Sequence, residues 1–99
     1  MLQQNAVPPV ALELLKRSNK SKKDYWDIAA LLEKYPLEEM LKIFKQKFPQ
    51  IDTGFIIHSL TDFEKADTEP DPDTLNAKTW SDIKIGLTTA VNKFTLGLL

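Results

Sequence analysis

The chain predicts an all-α fold, a single small domain of about five helices packed like a bundle. Two capping boxes, prolines at helix-starting positions, and apolar residues recurring at three- and four-residue steps are the observations behind it. Residues 1–8 read as an N-terminal extension and residues 9–99 as the helical domain.

Pro8-Pro9 stops any earlier helix and suits the first turn of a new one, which Val10, Leu12, Leu14 and Leu15 continue toward Ser18. After a Ser18-Asn19-Lys20 connector, Ser21 and Asp24 form the pattern in which hydroxyl and carboxylate satisfy the N–H groups a helix start leaves unpaired. Tyr25, Ile28, Ala29, Leu32 and Tyr35 then line one face, and Pro36 ends this helix near Lys34-Tyr35 while opening the next. In the third helix Glu38 and Glu39 precede Lys42, Lys45 and Lys47, matching the helix dipole, and Leu37, Leu41, Phe44 and Phe48 form a buried stripe.

Asp52 or Thr53 can cap a short fourth helix holding Phe55, Ile56, Ile57, Leu60 and Phe63. Gly54 to Ile57 also fits a strand, but a lone strand would lack a partner, so a helix is the reading. Asp67 to Asp73, with Pro70 and Pro72, reads as a solvated acidic loop. Thr79 and Asp82 make the second capping box, opening a helix whose Trp80, Ile83, Leu87, Ala90, Val91 and Phe94 share a face. The second, third and fifth helices are expected to be the main layers.

With 99 residues, 42% hydrophobic and 27% charged, the chain can bury a real core. The absence of cysteine excludes disulfides and thiolate metal ligands. No segment reads as a secretory signal or a membrane span, so a soluble, cytoplasmic protein is expected. The net charge of −1 is uneven, because most of the lysines lie in the first half and most of the carboxylates in the second. His58 is the only histidine, which excludes a histidine-based triad or a multi-histidine metal site. Gly54, Gly86 and Gly97 are isolated, so no phosphate-cradling loop is present.

Four pieces, in order, carry a family resemblance: Lys22-Lys23-Asp24 with Asp27-Ile28; Leu37 with Glu39-Met40-Leu41; Ser59-Leu60, Phe63, Ala66 and Glu69-Pro70; and Trp80 with Ile83-Lys84. Over roughly residues 9 to 94 the chain resembles the C-terminal helical part of the AbiEii-like nucleotidyltransferase toxins. The resemblance implies that nucleotide and metal bind an N-terminal palm, for which the residues ahead of Ser21 leave no room, so a free-standing helical half is expected. It also implies a lysine and an arginine just ahead of the Lys22-Lys23-Asp24 element. An ungapped alignment puts Leu12 or Glu13 and Asn19 there, with Lys16, Arg17 or Lys20 as replacements if it slips. Lys23, Asp24 and Asp27 remain as the family-derived site.

Asp24 and Asp27 can act as a carboxylate pair or, more plainly, as a cap and a solvated or lysine-paired aspartate. Lys16, Arg17, Lys20, Lys22 and Lys23 crowd a helix end, a turn and a helix start. They suit phosphate or RNA, or else form a solvated face that offsets a dipole and pairs with Asp24, Asp27 or the acidic loop. Trp26, about 100° around the helix from Tyr25, is directed to the core edge or another surface. With Phe94, Leu96, Leu98 and Leu99 it makes a candidate interface, unless the tail folds back over the core.

The expectation is a non-catalytic binding or assembly module without cofactor or metal, forming a homodimer or joining a toxin–antitoxin or defence protein. Alternatives are one subunit of a split nucleotidyltransferase completed by a separate palm protein, and a weak RNA-binding domain.

Overall fold

The computed structural model describes residues 7–73 and 78–97, which hold five α-helices and no strand. The helices are α1 (Pro9–Lys16), α2 (Lys22–Leu32), α3 (Leu37–Lys47), α4 (Thr53–Ser59) and α5 (Trp80–Gly97), with a short 3₁₀ turn at Ala66–Thr68. An all-α single small domain is therefore what the chain forms. The principal packing is a ring in which α1 touches α2 and α3, and α5 touches the same two from the other side. So α1, expected outside the main layers, completes the bundle. Four of its eight residues, Ala11, Leu12, Leu14 and Leu15, are buried. Val10 is not one of them, because Ala11 takes the inward position.

Both capping boxes form. The N–H of Asp24 donates to Ser21 Oγ at 3.2 Å and the N–H of Ser21 to Asp24 Oδ2 at 2.9 Å. At α5, Asp82 N–H donates to Thr79 Oγ1 at 3.1 Å and Thr79 N–H to Asp82 Oδ2 at 2.9 Å. Pro36 stands just outside α3, a position that needs no N–H donor, and Asp52 caps α4 by accepting from Gly54 N–H at 3.0 Å. Helix α1 stops at Lys16, short of Ser18, because Arg17 turns extended and the Lys20 ammonium takes the carbonyls of Leu15 and Arg17 at 3.2 and 2.7 Å.

The core runs through all five helices and includes Leu15, Tyr25, Ile28, Met40, Phe44, Ile56, Leu60, Ile83 and Leu87. Phe63 lies beyond α4 and packs edge-on against Tyr25 at 5.1 Å and Trp80 at 5.6 Å. The acidic segment is largely exposed, as expected of a solvated loop, but three of its carboxylates are engaged. Glu69 accepts the backbone N–H of Lys22 at 2.7 Å, Asp71 pairs with the Lys22 ammonium at 3.1 Å, and Asp67 accepts from the Trp80 indole at 2.7 Å and from Lys84 at 3.0 Å. Unpaired N–H groups at a helix start attract carboxylates, and this segment supplies one from 47 residues away.

Asp24 serves α2 as its box residue and also accepts from Arg17 at 2.6 Å, whereas Asp27 makes an exposed pair with Lys23 at 3.0 Å. Asp24→Ala is therefore expected to lower stability by about 0.5–2 kcal/mol. Asp27→Ala should cost less than about 0.5 kcal/mol. Urea unfolding of both variants measures the difference, and equal losses would contradict the assignment of Asp24 as the cap.

Candidate functional site

The residues singled out in the sequence do not share one site. Lys23, Asp24 and Asp27 sit on the first turns of α2, but Asp24 is buried in the cap and only the Lys23–Asp27 pair is exposed. Among the described residues no three histidines or carboxylates come together to hold a metal. No helix is long and apolar enough to cross a membrane, counting the described residues only.

The basic cluster is dispersed. The Lys16 ammonium lies 4.9 Å from the centre of the Phe48 ring, Arg17 pairs with Asp24, and Lys22 is buried between Asp71 and the Trp80 ring, 5.0 Å from its centre. Lys20 is 3% exposed, its ammonium donating to Leu15 O, Arg17 O and Ser59 Oγ. Burial lowers its pKa to about 8, with the Asp24 carboxylate pulling the other way and Arg17 reinforcing the fall. Lys20 and Lys22 are thus buried, while Lys16, Arg17 and Lys23 keep exposed side chains around the end of α1, which carries the negative pole of its dipole.

Trp26 corrects the expectation of an edge position. It is 6% exposed and stacks on Trp80 at 6.2 Å with the rings 14° from parallel. Adjacent helix positions face different directions, but α5 wraps the flank of α2 that Trp26 occupies, so both Tyr25 and Trp26 are covered. Phe94 is half-buried against the core, Leu96 is 67% exposed, and Leu98 and Leu99 lie outside the described residues, as do residues 1–6 of the expected extension.

The concave surface that does form was not anticipated. A groove of about 570 Å³ opens where the end of α2, the start of α3 and the second half of α5 meet. Leu32, Pro36, Leu37, Ala90 and Phe94 give it apolar walls, and Glu33, Lys34, Glu38 and Lys93 stand among the lining residues. Glu33 is tied to Lys78, whose ammonium this hydrogen bond holds above the usual lysine value. The one sequence signal was Pro36 between two helices. A proline there forces a tight corner, and Leu32, four residues before it, is left half-covered.

Compared with models of protein families, with curated proteins and with solved structures, the chain finds no match.

Beneath the α2 start, the Tyr25 hydroxyl shares its one hydrogen between the carbonyls of Ser59 at 2.9 Å and Asp62 at 2.7 Å. Burial, with the Asp62 and Asp24 carboxylates, raises this phenol from 10.0 to about 12. A group held above its unfolded pKa contributes stability that is complete below pH 10.0 and is lost as pH rises through about 12. Lys20 has the opposite sign, since the burden of keeping it charged relaxes between about 8 and 10.5. Wild type is expected to lose stability across the phenol's window and Tyr25→Phe to escape that loss. Unfolding free energies of the two proteins, measured through that window, check this, and parallel profiles would contradict it.

Proposed function

We propose that this chain is a non-catalytic binding and assembly module that receives an amphipathic helix or short apolar peptide of a partner protein in the groove between α2, α3 and α5. The observation that carries this reading is the groove itself, with apolar walls and charges of both signs around them. Such a surface suits a helix that lays apolar anchors at three- and four-residue spacing into it while its flanking charges meet the rim. A purely cationic ligand would meet Lys34 and Lys93, and a purely anionic one Glu33 and Glu38. The structural employment of Asp24, and of most of the basic cluster, favours binding over catalysis and over RNA. The resemblance to the helical half of the AbiEii-like nucleotidyltransferase toxins belongs to this proposal. Under it the partner is a cytoplasmic protein of a toxin–antitoxin or phage-defence system.

Two measurements test the reading. A displayed peptide library selected on wild-type protein and counter-selected on Phe94→Glu is expected to yield peptides with helical apolar spacing. Their affinity should fall at least about tenfold, or 1.4 kcal/mol, in the variant. Peptides that bind both proteins equally would overturn the groove assignment. Separately, purified protein with nucleoside triphosphates and magnesium is expected to transfer no nucleotide, because no metal-binding carboxylate cluster forms among the described residues. Transfer that survives repurification would overturn the non-catalytic part.

A further inference from the structure

Helix α5 turns Ile83 and Leu87 to the core, and its opposite side carries two large exposed apolar residues, Ile85 at 65% and Leu96 at 67%. Both are too far around the helix to reach the core, and neither lines the groove. Between them, Thr89 and Asn92 are also exposed. Ile85, Thr89, Asn92 and Leu96 follow one another at steps of four, three and four residues, the spacing of a coiled-coil seam.

The seam is uncharged. No Asp, Glu, Lys or Arg occurs from Ile85 to Asn92, whereas the outer face of α3 carries Glu38, Glu39, Lys42 and Lys45. An exposed helix face ordinarily carries charge, and two large apolar side chains spaced along a neutral one are the mark of a partnered surface. Gly86 flanks the seam, and a Cβ there would meet nothing within 4 Å, so packing within the monomer does not require glycine. It leaves room for a close neighbour on that flank.

What identifies the neighbour is the symmetry of the pattern. Reversed end to end about its midpoint, the seam matches itself, with Ile85 falling on Leu96 and Thr89 on Asn92. We infer that the outer face of α5 pairs with α5 of a second copy of this chain, antiparallel, across a two-fold axis between Ala90 and Val91. The axis passes beside the centre of the seam, as an isologous interface requires. Ile85 of one copy then packs on Leu96 of the other at each end. Thr89 and Asn92 hydrogen-bond across the middle, where a polar pair fixes register and orientation. The helix dipoles cancel. The groove lies on a different side of α5, so the dimer leaves both grooves open and presents two binding sites. The inference does not depend on the groove having a ligand. A contact one helix wide falls short of the about 1,200 Å² typical of stable interfaces, so association in the micromolar range is expected.

The native chain has no cysteine, so introduced ones report cleanly. Under oxidation, Ile85→Cys mixed with Leu96→Cys is expected to give a cross-linked heterodimer. Each variant alone should give little, because in an antiparallel pair the two copies of either position lie roughly 16 Å apart along the axis. A disulfide needs Cα atoms within about 7 Å. Sedimentation equilibrium of wild type should show monomer and dimer exchanging at micromolar concentration. Leu96→Lys should be monomeric there while keeping the same helical circular dichroism and the unfolding midpoint that wild type shows when diluted to monomer. Wild type that remains monomeric, a dimer that persists in Leu96→Lys, or single variants that cross-link to themselves as readily as the mixture would each overturn the proposal.

Discussion

Burying the Lys20 ammonium is the constraint from which the rest of the arrangement follows. An ammonium group taken out of water without partners costs several kcal/mol, so the fold holds together only where three acceptors converge on it. They come from the end of α1 (Leu15 O), from the connector (Arg17 O) and from α4 (Ser59 Oγ). Ser59 in turn donates to Ile56 O at 2.7 Å, and its own carbonyl accepts from Tyr25. One lysine and one tyrosine thus set where α1 ends, how α4 lies against it and how deep α2 sits. Short helices such as α1 and α4 are marginal alone, and this polar junction together with the apolar core locks them in place.

A second junction also lies at the start of α2. Its first turn needs acceptors, and the 67–71 segment brings Glu69 to a backbone N–H and Asp71 to Lys22. Asp67 reaches across to Trp80 and Lys84 on α5. These hydrogen bonds lower the carboxyl pKa values of Asp67, through the Trp80 indole and then Lys84, and of Glu69, through the Lys22 N–H and then Lys65. Each is a surface contact of modest worth, but together they hold α5 on the flank of α2 where Trp26 and Trp80 stack. Lys22–Asp71 joins the basic first half of the chain to the acidic second, whereas Arg17–Asp24 and Lys23–Asp27 pair within the first half and Lys65–Glu69 and Lys84–Asp67 within the second.

Helix α5 faces three different surroundings. One side of it closes the core, a second forms one wall of the groove with α2 and α3, and a third, farthest from the core, is the neutral seam. A helix serving three surfaces cannot be strongly amphipathic, and between Ile85 and Asn92 its polar residues are threonine and asparagine where α3, with one buried stripe, has glutamate and lysine.

What the sequence alone determined is the set of helices and where each one starts. Capping boxes at Ser21 and Thr79, the cap at Asp52, Pro9 and Pro36 act within one helical turn, so their chemistry is readable from neighbouring residues. The all-α class and the roles of Asp24 as a cap and Tyr25 as core followed from the same local rules. Only the tertiary structure decided that α1 completes the ring, that Trp26 is covered by Trp80, that Glu69 and Asp71 dock on α2, and that Lys20 is buried. Each of these joins residues from different elements, 39 to 49 positions apart for Lys20 with Ser59 and Lys22 with Asp71, and no local pattern announces such a partner. The groove was hidden for the same reason, since its walls are ordinary flank residues of three helices that become a surface only when the helices meet.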